Sequence, residues 1–216
     1  ISVKAISLAG ANIAPLLGEN TVVVTAMNGI PWWYYYGLPD GERHASLESV
    51  DPGGDFWRRI GPERSVGAII GFAAEVVAPG NVRCVSGNRF TIGEPTGEMS
   101  DRCLWFAELM GRAGFDCRVS GTIRNEVWNK LWGNAVYNPL SALTRASVGT
   151  LANDPDMRRL ATLMMREICD VGTAVGAEFE GTIQSRMDQA ASHGNHRSSM
   201  LQDLDAGRPM ELDAIL

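Results

Sequence analysis

Arg124-Asn125-Glu126-Val127-Trp128-Asn129-Lys130-Leu131-Trp132-Gly133-Asn134-Ala135-Val136-Tyr137-Asn138-Pro139 is the stretch that decides the fold. Read as a helix, it is apolar around most of its circumference, through Trp128, Leu131, Trp132, Ala135, Val136 and Tyr137, and such a helix is expected to be buried. Positions 130, 134 and 138 advance by about 400° each and so drift only about 40° per step. Lys130, Asn134 and Asn138 therefore form one polar stripe about 80° wide and about 12 Å long. Polar groups on a buried helix are costly unless they find partners. A polar ligand in a cleft would supply them. The plainer alternative is a solvated stripe on an ordinary amphipathic helix.

Upstream of this helix the chain has an α/β texture, and downstream it has only helical signals, so a boundary is expected near residue 120, giving domains 1–120 and 121–216. Ile1 to Ala5 reads as a short strand, Ser7 to Leu17 as a helix with Gly18 just past its end, and Thr21 to Thr25 as a strand buried in a parallel sheet. Asn28-Gly29 follows that strand. Ligands of open α/β sheets bind beyond the carboxyl ends of strands, which suits an Asn there, but a simple Asn-Gly turn fits as well. Trp32 to Tyr36 is expected to pack as a flap rather than to stack on bases. Runs over 66–77, 82–85 and 90–93, with Pro79-Gly80-Asn81 between the first two, suggest an antiparallel extension of the sheet. Ser100 is expected to cap a helix from Asp101 to about Arg112, apolar at Leu104, Trp105, Leu109 and Met110, ahead of a last strand over Phe115 to Val119.

After Gly121 come helices joined by short turns. Asp154-Pro155 opens a long one with apolar positions at Leu160, Leu163, Met164 and Ile168. His193 to Ser198 is a polar loop, Ser199-x-x-Gln202 has the form of a capping box, and Glu211 opens a final helix. Ser199 and Glu211 both have ordinary structural readings as helix-start residues.

The 216 residues carry 19 basic and 25 acidic side chains, a net charge of −6, which argues against nucleic-acid or anionic-membrane partners. No apolar run approaches the length of a bilayer span. Cys84, Cys103, Cys117 and Cys169 form no C-x-x-C and sit among apolar neighbours, which reads as reduced, mostly buried thiols of a cytoplasmic protein. No metal site is expected from the three histidines. G-x-G-x-x-G, G-x-x-x-x-G-K-[ST] and G-x-S-x-G are all absent, so kinase, NTPase and serine-hydrolase readings fail.

Five groups of residues together resemble the ketopantoate reductases (2-dehydropantoate 2-reductases) of the 6-phosphogluconate-dehydrogenase-like superfamily. They are Val3-Lys4-Ala5, Thr25-Ala26-Met27-Asn28-Gly29, Trp128-x-Lys130-Leu131-x-x-Asn134-x-x-x-Asn138-Pro139-Leu140-x-Ala142-Leu143, Ser198-Ser199-Met200-Leu201-Gln202-Asp203 and Glu211-Leu212-Asp213. The resemblance implies a Rossmann-like α/β domain, incomplete here, followed by an all-α domain, with the active site in the cleft between them. It implies NADPH, NADP(H) being the family's cofactor, as hydride donor to a small branched 2-keto acid, ketopantoate giving pantoate on the way to pantothenate and coenzyme A. Lys130 matches the catalytic lysine and Glu211 the acid that holds it. Asn134, Asn138, Ser199 and Asn28 match substrate-binding groups, Asn28 also corresponding to the cofactor-binding residue at the nicotinamide end of the cleft, and Lys4 matches a basic residue near the cofactor. Val148 and His196 depart from the pattern, standing where some members carry substrate-contacting or adjacent Asn residues.

Chemistry agrees with that role for lysine, since an ammonium can polarise a carbonyl and protonate the alkoxide left by hydride arrival. A related reductase of another 2-keto or 3-hydroxy acid, or a non-catalytic ligand-binding paralogue, would share much of the pattern. A homodimer is compatible with it. About seventy residues of glycine-rich nucleotide-binding chain are expected ahead of Ile1, and the last helix is expected to continue past Leu216.

Overall fold

A computed structural model describes residues 13–39, 41 and 47–216. Lys4, the strand expected over Ile1 to Ala5 and the start of the first expected helix lie outside the described residues. Among the described residues, that segment is α-helical at Ile13 and then forms the 3-10 turn Ala14–Leu16. The chain divides into two compact units: the first runs to Glu126, except that Asn28–Ile30 groups with Val127–Leu216 in the second.

The first unit is built on four strands, β1 (Val23–Ala26), β2 (Ser65–Ala78), β3 (Asn81–Gly93) and β4 (Asp116–Val119), in the order β1-β2-β3-β4. β1 runs parallel to β2 and β4 parallel to β3, while β2 and β3 are antiparallel, with Ala78 opposite Asn81 across the expected Pro-Gly turn. Two runs expected separately, 82–85 and 90–93, form one strand. A register shift between Gly71 and Ala73 lets β3 pass through Gly87, whose φ of +73° suits a bulge. The period of two then sorts one face of the sheet: Val24 and Ala26, Val66, Ala68, Ile70 and Phe72, Phe90 and Ile92, Cys117 and Val119 all join one apolar cluster.

Helix α2 (Asp101–Arg112, after the short α1, Asp55–Arg59) covers that face, capped by the Ser100 hydroxyl as expected. Its inward side chains are Cys103, Phe106, Ala107 and Met110, spaced i, i+3, i+4, i+7. Leu104, Trp105 and Leu109, expected to mark its apolar side, are exposed, Trp105 to 64%. The helix carries two apolar stripes, and the pattern alone does not say which one faces the sheet. Cys84 also departs from expectation: it is exposed on the outer part of the β2–β3 ribbon, where solvent reaches both faces, while all four cysteines are free.

Trp32, Trp33 and Tyr34 are buried, so the aromatic run packs as a flap. Trp33 donates to the Thr25 hydroxyl at 3.1 Å, and a Cβ on Gly67 would lie 2.6 Å from the Trp33 ring. Arg124, from the deciding stretch, donates to the carbonyls of Tyr34, Tyr36 and Pro95 and so ties that flap down. At the end of β3, buried Glu94 takes two Arg102 hydrogen bonds at 2.6 Å and one from Ser100. Burial opposes its charge, but these donors outweigh it and hold the carboxyl below its ordinary range.

The second unit is helical: α3 (Ile123–Thr144, which begins in the first unit), α4 (Val148–Asn153), α5 (Pro155–Ala174), α6 (Ile183–Ala191), α7 (Ser199–Asp205) and α8 (Leu212–Ile215). Trp132, Val136, Tyr137 and Leu140 of α3 meet Val148, Leu151, Ala161, Met165 and Met187 in one core. Asp154 caps α5 by accepting from the backbone N–H of Asp156 and Met157, with Pro155 at its first turn. On α5 the core residues are Ala161, Met165 and Gly172, with Met164 and Ile168 at the margin. Leu160 and Leu163, expected to face inward, are exposed. Gly172 is needed where α5 approaches α3, since a Cβ there would lie 2.6 Å from Phe179 and 3.0 Å from Trp128.

Candidate functional site

Lys130, Asn134 and Asn138 lie on one side of α3, as the spacing predicts, and the residues between them form the core. The stripe is neither wholly buried nor fully solvated: Lys130 and Asn134 are half-buried, while Asn138 is buried and its Nδ2 finds no partner among the described residues. A buried amide donor left unpaired costs about 1–3 kcal/mol, which a polar ligand would recover. Burial pushes the Lys130 ammonium down to about 8, and the nearby Glu211 carboxylate acts in the opposite sense.

Glu211 precedes α8 and does not spend its carboxylate on capping that helix. Instead its Oε2 accepts a 3.0 Å hydrogen bond from Asn28 Nδ2, across 183 residues of sequence. Lys130, Glu211 and Asn28 are therefore brought together, although they come from the deciding helix, the last turn of the chain and the end of β1. Asn28-Gly29 was compatible with a mere turn; the side chain is engaged.

Ser199 is not joined to this group by any hydrogen bond among the described residues, and it is exposed. It is not the cap of its helix either. Ser198, buried, accepts from the Leu201 N–H and is the N-cap of α7, while Gln202 donates to the Arg197 carbonyl. The capping position falls one residue earlier than the Ser-x-x-Gln pattern suggests, because the first Ser of the pair is the one turned inward. Val148 is buried in the helical core and offers no polar group, and its N–H donates to the carbonyl of exposed His196 at 2.9 Å. The two departures from the family pattern are thus hydrogen-bonded neighbours.

Sequence reasoning missed Asn129. Its carboxamide accepts from the Glu180 N–H and from Arg186 and donates to the Glu178 carbonyl, anchoring the helix turn that carries Lys130 to the segment after α5. An Asn among the apolar positions of a buried helix was the available signal. It also missed the backbone contact of Gly29 and Ile30 with Ala214, for which no local signal exists. Among the described residues no group of three or more His, Cys, Asp or Glu could hold a metal ion, and no helix is long and apolar enough to cross a membrane.

The family described as "Ketopantoate reductase PanE/ApbA C terminal" matches residues 122–216, the part that carries the lysine stripe, the Ser-Ser-Met segment and Glu211. With the α/β sheet ahead of it, that match defines an oxidoreductase class with a Rossmann-like fold. A 2-dehydropantoate 2-reductase from Mesorhizobium japonicum is 46% identical over the whole chain, which covers 67% of that protein. A Ralstonia solanacearum crystal structure, provisionally described as a ketopantoate reductase, superposes with a TM-score of 0.92 at 35% identity, over 100% of this chain and 66% of that one. The 2-dehydropantoate 2-reductase of Geobacter metallireducens gives 0.78 at 25% identity, over 96% and 65%. The chain belongs to the ketopantoate reductase family of nicotinamide-dependent oxidoreductases. It spans about two thirds of the length of these relatives.

Proposed function

We propose that the protein reduces ketopantoate to pantoate with NADPH, in the synthesis of pantothenate and coenzyme A. The observation that carries this reading is Lys130: a half-buried ammonium, lowered to about 8 by burial, beside a carboxylate on a helix whose pattern matches the family. When bound, the reduced nicotinamide supplies a hydride to C2 of the keto acid.

The chain's own residues do the rest. The Lys130 ammonium donates a hydrogen bond to the C2 carbonyl oxygen and gives up its proton as that oxygen becomes an alkoxide, so one hydride and one proton complete the alcohol. Glu211 keeps the proton on Lys130 until it is needed. The unpaired Asn138 amide, with Asn134 and Ser199, binds the substrate's carboxylate and hydroxyl.

A dinucleotide fits these residues at one end only. Asn28 donates through Nδ2 to Glu211, which leaves its carboxamide oxygen to accept from a nicotinamide carboxamide. No G-x-G-x-x-G for the phosphates occurs in these 216 residues, and Lys4 lies outside the described residues. The reading extends to a cytoplasmic enzyme, supported by four free thiols. It also extends to a homodimer, the state named for a Staphylococcus aureus ketopantoate reductase that shares the fold.

The test is a comparison of kcat/KM for the full-length protein on ketopantoate and on other branched 2-keto acids, with NADPH and with NADH. Ketopantoate with NADPH should give the highest value. A clear preference for another keto acid would contradict the substrate, and a preference for NADH would contradict the cofactor.

A further inference from the structure

We infer that the Asn28-Gly29-Ile30 turn and the final helix α8 form a clasp that sets Glu211 opposite Lys130, with Gly29 and Ala214 as its positioning residues. The inference rests on the reading of Lys130 as the proton donor.

Three consecutive residues meet the end of the chain in three different ways. The Asn28 amide holds the Glu211 carboxylate at 3.0 Å. The Ile30 N–H donates to the Ala214 carbonyl at 2.9 Å. Between them, Gly29 lies flat against the same peptide: a Cβ there would sit 1.9 Å from the Ala214 oxygen and 2.5 Å from its carbon. Those are backbone atoms and cannot swing aside. Gly29 also has φ of +80°, which a side chain rarely tolerates. The Asn-Gly pair is thus a fitted surface: Asn supplies the donor, and Gly permits the approach that puts the donor in reach. Glu211 makes no capping bond to α8, and among the described residues Asn28 is the side chain that holds its carboxylate by a hydrogen bond. Accordingly, residues 28–30 group with the helical unit.

Opening the clasp should act on Lys130 through Glu211. Glu211 is the charged group that favours its protonated form, while burial disfavours it. Lys130 is the one lysine between Ala5 and Leu216, and peptide mass spectrometry of the full-length protein follows amine acylation at the peptide that carries it. In the full-length protein without cofactor or substrate, the labelling midpoint should lie near 8. In Gly29→Ala it should fall by about one pH unit, as in Glu211→Gln. Steady-state kinetics of Gly29→Ala should show kcat lowered more than KM is raised, with the pH optimum moved to the acid side. Ala214→Leu presses on the turn from the half-exposed helix and should shift the midpoint the same way, which covers the case of a Gly29 variant that does not fold. Hydrogen exchange at the Ile30 amide should quicken in both.

If folded Gly29→Ala and Ala214→Leu keep the wild-type midpoint and exchange rate, the clasp is overturned whatever the activity. If both midpoints fall while the wild-type protein reduces no ketopantoate, the clasp stands and the proposed substrate does not.

Discussion

Lys130 carries the greatest chemical weight of any single side chain. Its ammonium is held near 8 by burial, with Glu211 opposing, so it is mostly charged at pH 7 and able to give a proton. Keto-acid reduction should therefore decline above about pH 8, and Glu211→Gln should move that decline to lower pH, because it removes the charge that favours the proton. A pH–kcat profile of the two proteins checks both signs. Asn138 tests the other end of the stripe. Its buried Nδ2 has no partner among the described residues, so Asn138→Leu should leave the Tm unchanged or slightly raised while raising KM for the keto acid tenfold or more. A Tm lowered by several degrees would mean that the amide serves the fold instead.

The helices show how far local pattern reaches. Ser198 and Ser199 are adjacent, yet one is buried and caps α7 while the other is exposed. Ser198→Ala should cost about 1 kcal/mol in denaturant unfolding, the usual worth of an N-cap, whereas Ser199→Ala should cost almost nothing and show itself in KM. Helix starts at Asp101 and Pro155 were legible because capping chemistry is local. The inward faces of α2 and α5 were less so. Periodicity says which side chains share a face, and on both helices it marked residues such as Leu104, Trp105, Leu160 and Leu163 that turned out exposed. The smaller Cys103, Ala107, Ala161 and Gly172 face inward, where helix and sheet or helix and helix approach closely. At Gly172 that closeness is severe, and Gly172→Ala should destabilise by about 1–3 kcal/mol through overpacking against Phe179.

On the scale of the whole molecule, the order α/β then all-α was readable, since a period of two gives way to helical spacing near Gly121. What could not be read was the passage of Asn28–Ile30 into the helical unit, because no local rule links residue 28 to residue 211. The lysine stripe was legible from one helix, whereas the group it works with is assembled from three distant segments. That assembly has a thermodynamic signature. A lysine whose folded pKa lies below its unfolded value weakens the fold fully at pH values below about 8, and the penalty fades as pH rises toward 10.5. Lys130→Met should thus raise the Tm by a few degrees at pH 7, a gain that shrinks between pH 8 and 10. The most direct test of the catalytic account uses the same position. NADPH oxidation by the full-length protein should begin on addition of ketopantoate, and Lys130→Ala should lower kcat by a factor of about 10² to 10⁴ with the circular dichroism spectrum unchanged. A folded Lys130→Ala protein that turns over at the wild-type rate would contradict it.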